Sequence, residues 1–398
     1  MKKYPMSLPS KHVLYLSRRI GPRGAGSDRE AAAASYILDT LGESGTEVEL
    51  ETFSCWDSDL HAVLVLYALS VVAYLLILKG WFISLILSII ALFLFQLETF
   101  SWSTISKLYP RSKALNVIGK VKPEKARKRL VVLVANYDTP KSSPFARTPR
   151  LYRFFYSISF LAMIVIALLS LLGAIAEITR AQEELAFKMW LLGSPFALFL
   201  LVFFLILLIG ELRGKYTSGA NDNASGVGVM LSVIASISAR PLEFTEVWGV
   251  ATARGNAGGR GMVELIRRHR SLLKNSYIIN LDHLGRGKMN VLTREGAIFG
   301  FGSSRKLRKL AFQAASRSKD TQISEGKCRI KKSDALVAIA RGYRAVTIGG
   351  MDDGAYHGWR SRLDTYPRIQ RNHLDNAVKL LDNLLDEIDH ETIHSPNT

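Results

Sequence analysis

Four long apolar stretches without a single charged residue limit the possible folds of this chain more than any other feature. They cover residues 62–78, 81–97, 154–176 and 189–210. A helix needs about 20 apolar residues to cross about 30 Å of hydrocarbon, because each residue advances the helix by about 1.5 Å. The last two stretches meet this length comfortably. The sequence therefore predicts transmembrane helices there.

The first two stretches are shorter, and only Lys79 and Gly80 separate them. They lie at the lower limit of length, so a tight transmembrane hairpin and a shallow re-entrant hairpin both stay open. A buried core helix is the alternative for any single stretch, but length and the absence of charge favour the membrane. The prediction is four transmembrane helices in two hairpins.

The two hairpins leave three polar pieces on one side of the membrane. The predicted soluble domain consists of 1–59, 100–150 and 211–398, with the hairpins at 60–99 and 151–210. Strand and helix patterns alternate in these pieces, which is typical of an α/β fold with a mainly parallel or mixed sheet and helices on both faces. Residues 130–135 are apolar throughout, which predicts a central strand. Ser27 and Gly42 have the residue types expected at the two ends of one helix.

The chain is strongly basic, with a formal net charge of +18. Basic residues cluster at 107–129, 267–274, 305–309 and 327–332. We find no nucleic-acid recognition motif and no pattern of stacking aromatic residues, so we expect no nucleic-acid partner. Attraction to anionic membrane lipids and a solvated basic face without a partner remain the two explanations.

The sequence predicts a multi-pass integral membrane protein. Its soluble domain is predicted to face the cytoplasm. Lys and Arg residues near the ends of the apolar stretches favour this orientation. The beginning of the sequence has no signal-peptide pattern, which agrees. Cys55 and Cys328 are the only cysteines, and we expect both to be free thiols.

Polar residues follow the predicted strands at their carboxyl ends, where α/β sheets bind ligands. Asn136 and Asp138 follow one strand, residues 254–256 follow another, Asp282 ends a third, and His357 lies in a late loop. Two aspartates and a histidine that meet at a sheet edge are suitable ligands for Zn²⁺. Residues of these types at strand ends more commonly cap helices or form loop hydrogen bonds, so this pattern by itself does not establish a metal site.

The segment 219–226, Gly-Ala-Asn-Asp-Asn-Ala-Ser-Gly, resembles the signature of the M28 family of dizinc aminopeptidases. Other segments are similar in the same order, at 21–27, 280–282, 333–334, 356–357 and 363–365. The resemblance covers nearly all the soluble pieces. It implies a three-layer α/β/α zinc-exopeptidase-like sandwich in which Asp222, the aspartate of the signature, bridges two zinc ions.

The resemblance also implies that Asp222, Asp282 and His357 are the retained metal ligands. The family places its first histidine ligand where this chain has Asn136, two residues before a supporting Asp138. The loss of this histidine leaves one zinc ion with two of its three protein ligands. A second loss, at Asn256, leaves the other zinc ion with two as well. Because an amide carbonyl is a poor donor to Zn²⁺, the metal set is predicted to be vestigial or weak, with zinc absent or weakly bound.

The second departure from the family is at the two adjacent glutamates, of which the first is the general base and the second a ligand. Gly255 and Asn256 stand at these positions. Loss of a general base alone costs about 10²–10⁴ in rate. Asp352 and Asp353 are a conceivable substitute, although an exposed turn with Gly354 is the more probable role of this pair.

A neighbouring histidine, His283, is also available in the sequence. Adjacent residues of a strand point to opposite faces, so we expect His283 to face away from the site that Asp282 faces.

The functional prediction is a multi-pass membrane protein with an aminopeptidase-like domain that binds or scaffolds a peptide or membrane partner without catalysis. The alternative is a membrane-bound zinc-dependent aminopeptidase with an altered or single-metal site. A transporter or channel is disfavoured because the apolar stretches contain no Asp, Glu, Lys or Arg. The second hairpin separates Asp138 from Asp222 in the sequence, so we expect the vestigial cleft to lie close to the membrane surface.

Overall fold

The chain divides into two units in the computed structural model, which describes residues 8–58, 60–100, 102, 105, 111–178 and 183–394. The sheet unit comprises Met1–Asp57, Arg111–Ser142 and Lys215–Thr398. The helical unit comprises Ser58–Pro110 and Ser143–Gly214. Residues 107–110 of one basic cluster lie outside the described residues, as do residues 1–7, on which the signal-peptide prediction partly depends.

The elements of the described residues alternate between strands and helices throughout the sheet unit. The α-helices are, in chain order, α1 (Leu8–Leu14), α2 (Asp28–Glu43), α3 (Leu60–Leu75), α4 (Trp81–Thr99), α5 (Pro149–Ile178), α6 (Glu183–Arg213), α7 (Ser225–Ala239), α8 (Arg260–Arg268), α9 (Arg270–Leu273), α10 (Arg305–Ser316), α11 (Asp334–Ile339) and α12 (Arg371–His394). The strands are β1 (Glu47–Cys55), β2 (Ser112–Val121), β3 (Arg129–Asn136), β4 (Thr245–Thr252), β5 (Tyr277–Asp282), β6 (Lys288–Glu295), β7 (Phe301–Gly302), β8 (Ser324–Cys328), β9 (Ala345–Asp352) and β10 (Ala355–Tyr356). Short π-helical segments at Tyr15–Ile20 and Ala220–Ala224 precede α2 and α7.

The strands form one mixed sheet with the order β1-β2-β4-β3-β5-β9-β6-β7, in which β8 also pairs with β6 and β10 with β9. Strands β4, β3, β5 and β9 are parallel neighbours, whereas β2 and β6 run antiparallel to them at either side. Every residue of β3 is buried, so the prediction of a central strand at 130–135 is confirmed.

Both faces of the sheet carry an apolar core. On one face, α2, α7, α10 and α12 contribute buried side chains that pack on β3 and its neighbours. On the other face, α8 and α11 cover a second cluster around Trp248. The predicted three-layer α/β/α sandwich is therefore confirmed.

The ends of α2 show one correct and one wrong prediction. The Ser27 side chain accepts a hydrogen bond from the Glu30 backbone N–H at 3.2 Å, so Ser27 is the N-cap as expected. Gly42 does not end the helix, which continues to Glu43. The left-handed conformation after the helix is adopted by Gly45 instead, at φ 75°. Gly42 and Gly45 are close in sequence, and the conformation of the turn decides which of them adopts the left-handed conformation.

In the helical unit, α3 to α6 coincide with the four apolar stretches. Pro195 lies inside α6. The missing N–H of Pro195 leaves the carbonyl of Leu191 without its helical partner. The Ser194 hydroxyl donates to that carbonyl at 2.8 Å, which explains how the helix continues through the proline.

The surface and the interior of the helical unit differ in a way that suits a bilayer. Most of the large apolar side chains that are exposed in the described residues lie on α3 to α6, such as Phe93 and Leu198. The interior contains hydroxyl groups that bond between helices: Ser84 with Ser170 at 2.6 Å, and Tyr67 with Ser159 at 2.5 Å. Buried hydroxyl pairs of this kind are common between helices in membranes.

By length and composition, five helices of the described residues are apolar enough to cross a membrane. Four are the helices at Leu60–Leu78, Trp81–Thr99, Pro149–Ile178 and Phe187–Arg213. The fifth, Ala220–Ala239, includes α7 of the sheet unit, and most of its residues are buried in the core there. These helices are compatible with a membrane protein.

Candidate functional site

The parallel strands bring the predicted polar residues to one edge of the sheet. Asn136 at the end of β3 pairs in register with Thr252 at the end of β4, and β5 continues on the other side of β3. Asp138 and Gly255 follow the first two strands, and Asp282 ends the third. The carboxyl ends of parallel strands meet at the same edge, as the sequence predicted.

One half of the site is a buried group of four charged side chains, Asp222, Asp282, His283 and Lys331, which we call the charged half. His283 Nδ1 lies 2.6 Å from Asp282 Oδ1, and its Nε2 lies 3.5 Å from Asp222 Oδ2. Lys331 Nζ lies 2.9 Å from Asp282 Oδ2 and 3.6 Å from Asp222 Oδ1. Two cationic side chains therefore bridge the same two carboxylates.

The position of His283 contradicts the prediction that it faces away from the site. The prediction assumed that strand alternation continues past Asp282, but β5 ends there and His283 adopts φ 55°. This left-handed backbone conformation ends the extended geometry on which alternation depends. Both side chains therefore point into the same cluster.

The electrostatics of the charged half favour four ionised groups. Burial alone raises the pKa of Asp222 and of Asp282, but the Lys331 ammonium and His283 hold both pKa values below their usual range. Burial alone lowers the pKa of His283, whereas the two carboxylates raise it to about 9. The same carboxylates hold the pKa of Lys331 above its usual range against the effect of burial. The cluster then carries two negative and two positive charges.

A third aspartate, Asp364, fixes the backbone of the signature loop. Its carboxylate accepts hydrogen bonds from the backbone N–H groups of Asn221 at 2.7 Å and Asp222 at 2.9 Å. Burial raises the pKa of Asp364 to about 6. Its role is to hold the loop so that the Asp222 side chain faces the cluster.

The loop is also held by a fully buried guanidinium group. Arg23 donates to the backbone carbonyls of Gly219 at 3.0 Å, Tyr137 at 2.8 Å and Leu16 at 2.7 Å. Burial lowers the pKa of Arg23 to about 10. These bonds connect the segment before α2, the segment after β3 and the signature loop.

The other half of the site consists of Asn136, Asp138, Gly255 and Asn256, which we call the amide half. The Asp138 carboxylate accepts hydrogen bonds from the backbone N–H groups of Gly255 at 2.8 Å and Asn256 at 3.0 Å. It also accepts one from the Asn136 amide at 3.1 Å. Burial raises the pKa of Asp138. This half contains one carboxylate, and neutral donors surround it.

Both amides of this half are already engaged in hydrogen bonds. The Asn136 side-chain oxygen accepts from Asn223 Nδ2 at 3.2 Å, while its nitrogen donates to Asp138. The Asn256 side chain donates to the Asp138 backbone carbonyl at 3.1 Å. The side-chain oxygen of Asn136 is therefore already engaged in a hydrogen bond.

Asn136 also fills the space beside Gly255. A Cβ atom added at Gly255 would lie 2.3 Å from the Asn136 Cβ and 2.6 Å from its Cγ, which is far inside van der Waals contact. The two positions are therefore interlocked: the glycine is required by the asparagine next to it. A side chain at position 255 requires Asn136 to move.

His357 lies outside both halves. Its Nε2 forms a short pair with the Asp352 carboxylate, and 36% of the His357 side chain is exposed. Asp353 and Gly354 form the turn between β9 and β10, so the turn interpretation of this segment is confirmed. The group of metal-ligating atoms within 4.8 Å of one another contains Asp222, Asp282 and His283, and His357 does not belong to it.

Comparisons with known proteins relate this geometry to a family. Residues 208–385 match the model of peptidase family M28. This segment, which includes Asp222, Asp282, His283 and Lys331, therefore resembles the M28 family. No curated protein matches the sequence.

Solved structures share the fold of this chain. A zinc aminopeptidase from Bacillus subtilis is 14% identical, with a TM-score of 0.57 over 97% of this chain and 96% of that chain. A glutaminyl cyclase from Bacteroides thetaiotaomicron, bound to N-acetylhistamine, is 16% identical, with a TM-score of 0.56 over 96% and 98%. A leucine aminopeptidase precursor from the same organism is 16% identical, with a TM-score of 0.55 over 96% and 99%. The family and these neighbours suggest zinc as the cofactor to test.

The described side chains do not fit a pair of zinc ions. Asn136, Gly255 and Asn256 supply hydrogen bonds in place of the histidine and two glutamates, and His357 pairs with Asp352. Two cations already contact Asp222 and Asp282. What remains for a metal is the set Asp222, Asp282 and His283, and neither carboxylate oxygen of Asp222 has a hydrogen bond in the described part of the chain.

The sequence analysis missed the importance of Lys331. For the cluster 327–332, attraction to anionic lipids and a solvated basic face both stayed open, because a basic cluster gives no indication that one of its members is buried. Only 12% of the Lys331 side chain is exposed.

Proposed function

We propose that this protein is a membrane-anchored pseudopeptidase, in which an M28 domain binds or scaffolds a peptide or membrane-protein partner and does not hydrolyse peptides. The observation that carries the proposal is the interlocking of Asn136 and Gly255. Hydrolysis by the family requires a carboxylate to take a proton from the attacking water. In this chain Asn136 fills the space beside the position of that carboxylate.

The charged half supports the same proposal. Its two aspartates are neutralised by His283 and Lys331, so their charge does not depend on a metal ion. With neutral amides in the other half, zinc is proposed to be absent or weakly bound. The cleft keeps the shape of the family without its chemistry.

Anchoring in the membrane is proposed from the four apolar helices and their exposed apolar side chains. A water-soluble protein rarely exposes large contiguous apolar surfaces. Lys and Arg residues near the helix ends favour a cytoplasmic sheet unit, and anionic lipids are proposed as partners of its basic surface.

Elemental analysis and a peptidase assay on the full chain in detergent test the proposal together. We expect well under one zinc per chain and no metal-dependent release of N-terminal amino acids from a panel of aminoacyl substrates. A family zinc aminopeptidase assayed in parallel is the positive control. Asp222→Ala is the matched variant, because a rate that it leaves unchanged comes from a contaminant. Stoichiometric zinc with a rate that Asp222→Ala abolishes would overturn the proposal.

A membrane-bound hydrolase with a single metal is the second candidate. One observation favours it: Asp222, Asp282 and His283 present ligand atoms within 4.8 Å of one another. In this case wild-type protein carries one metal ion per chain as purified, and chelation lowers both its stability and its activity. Metal-free wild-type protein that stays inactive after zinc is added rejects this candidate.

The location of the partner is testable by crosslinking. A photoreactive residue at Ser142, close in sequence to the second apolar pair, is expected to crosslink to lipid or to another membrane protein. Thr217 is a poorer position because it is buried. Crosslinks to soluble proteins only would contradict a partner in the membrane.

A further inference from the structure

Lys331 lies between the two aspartates of the charged half. It belongs to the loop that connects β8 with α11, and both ends of this loop are fixed. Cys328 is buried at the end of β8, and the Ser333 hydroxyl caps α11 while it contacts Glu295 at 2.5 Å. The short loop therefore holds the Lys331 ammonium group in the cluster.

An aromatic ring completes the surroundings of the ammonium group. Lys331 Nζ lies 5.2 Å from the centre of the Tyr356 ring. The same ring stacks on His283, with 4.2 Å between the ring centres. Two carboxylates and an aromatic face are groups that attract a cation, so the site around Nζ has the composition of a cation-binding site.

A divalent ion and the Lys331 ammonium compete for the same carboxylates. An ion bound by both Asp222 and Asp282 would lie within a few ångströms of Nζ, which contacts both side chains. At such distances in a buried site, repulsion between like charges is strong. The ammonium also offsets negative charge on these two carboxylates without any ion. The space between the two carboxylates can therefore hold either the Lys331 ammonium group or a metal ion, but not both.

We propose that Lys331 is a built-in cation that excludes divalent metal from this site, and that the site binds a single divalent ion when the ammonium is removed. The ligands are then Asp222, Asp282 and His283, whose donor atoms lie within 4.8 Å of one another. Asp222 offers both of its carboxylate oxygens, which have no hydrogen bond in the described residues. This inference rests on the proposed function only in that wild-type protein holds no metal.

The experiment compares Lys331→Ala with wild type in the full detergent-solubilised chain. Each protein is dialysed against zinc chloride, bound zinc is measured by elemental analysis, and the thermal unfolding midpoint is followed as zinc is increased. Lys331→Ala is expected to bind about one zinc per chain. Its midpoint is expected to rise with zinc concentration, because a ligand that binds only the folded state stabilises it.

Two matched variants separate the ammonium group from general effects of a loop substitution. Lys331→Arg keeps a cation in the site, and Lys332→Ala removes the neighbouring lysine from the same loop. Both are expected to stay well below one zinc per chain with an unchanged midpoint. The double variant Asp222→Asn with Lys331→Ala is expected to lose the zinc that Lys331→Ala gains, which shows that the ion is bound in the cluster.

The proposal is overturned if Lys331→Ala binds no more zinc than wild type, or if Lys331→Arg binds as much as Lys331→Ala. If Lys331→Ala does not fold, reaction of wild-type lysines with an amine-reactive reagent decides. Lys331 is expected to stay unmodified while the exposed Lys327 reacts, as measured by peptide mass spectrometry. Equal reaction at the two lysines contradicts the proposal.

Failure of this inference and failure of the proposed function give different results. Zinc-loaded, active wild-type protein refutes the pseudopeptidase. Zinc-free, inactive wild type together with a zinc-free Lys331→Ala refutes only the role of Lys331.

Discussion

The charged half and the amide half of the site depart from a dizinc site in two physically different ways. In the charged half the carboxylates of Asp222 and Asp282 are kept, and side-chain cations contact them. In the amide half the expected ligands are replaced, and Asn136 fills the space beside Gly255. In the charged half, cations compete for the carboxylates. In the amide half, amides and a glycine stand at the expected ligand positions, and a side chain at position 255 has no room.

The two halves differ in how many substitutions would be needed to restore them as metal sites. In the charged half, a single substitution at Lys331 removes the ammonium group from both carboxylates. The amide half needs at least two changes, because a side chain at position 255 and the side chain of Asn136 exclude each other. In the proposed pseudopeptidase, the amide half is therefore harder to restore by substitution than the charged half.

The largest expected loss of stability comes from removing one of the two carboxylate charges of the charged half. Asp282→Asn leaves His283 and Lys331 with one carboxylate between them. Breaking a buried ion pair by removing one partner costs about 3–5 kcal/mol of unfolding free energy. Denaturant unfolding in detergent measures this loss.

The matched control for that prediction is Asp320→Asn. This exposed aspartate pairs with Lys379 at 3.3 Å, and its loss is expected to cost less than about 1 kcal/mol. Equal losses in the two variants would mean that the charged half is not a buried ion-pair cluster.

The second effect is a pH dependence from Asp334, a buried carboxyl group near the amide half. It accepts a hydrogen bond from Thr252 Oγ1 at 2.5 Å, and burial raises its pKa from 3.8 to about 7. Because the folded-state pKa is raised, its stabilising contribution is complete below pH 3.8 and is lost as the pH rises through about 7. The shift corresponds to a contribution of the order of 4 kcal/mol.

Wild-type protein is therefore expected to become more stable as the pH falls from about 8 to about 5.5. Asp334→Asn is expected to reduce this slope without removing it, because Glu295 is also buried with a pKa raised to about 7. Thermal unfolding across this pH range is the measurement. A slope in Asp334→Asn as steep as in wild type would show that Asp334 is ionised in the folded protein.

The third effect tests the interlocking of the amide half. Gly255→Glu restores the carboxylate expected in the family, but its Cβ collides with Asn136. Overpacking of this kind costs about 1–3 kcal/mol. The variant is expected to unfold more easily and to gain no aminopeptidase activity.

Adding Asn136→Gly to Gly255→Glu makes room for the new side chain. The double variant is expected to lose less stability than the sum of the two single variants, which a double-mutant cycle measures. Additive losses would mean that the two positions do not exclude each other.

The smallest effect is expected at His357, which lies outside both halves. His357→Ala breaks a partly exposed pair with Asp352, and such pairs contribute less than about 1 kcal/mol. Unfolding and zinc content are both expected to stay close to wild type. A large change in metal content would indicate that His357 is a metal ligand after all.

Much of the fold was predictable because it depends on local patterns. The all-apolar β3, the N-cap at Ser27 and the four apolar helices each come from residues close in sequence. The sequence analysis did not identify α1 or strands β6 to β8. These strands have mixed polar and apolar residues, and they are strands because β6 pairs with β9 while β7 and β8 pair with β6.

The sequence alone determined the order of the central strands and the longer helices, the apolar segments and the identity of the residues at the strand ends. These properties follow from side-chain chemistry and short-range periodicity. Only the tertiary structure decided that His283 turns into the site, that Lys331 reaches Asp282 and that Asn136 fills the space beside Gly255. Each depends on a backbone turn or on packing between segments distant in the chain, and spacing along the sequence does not encode those distances.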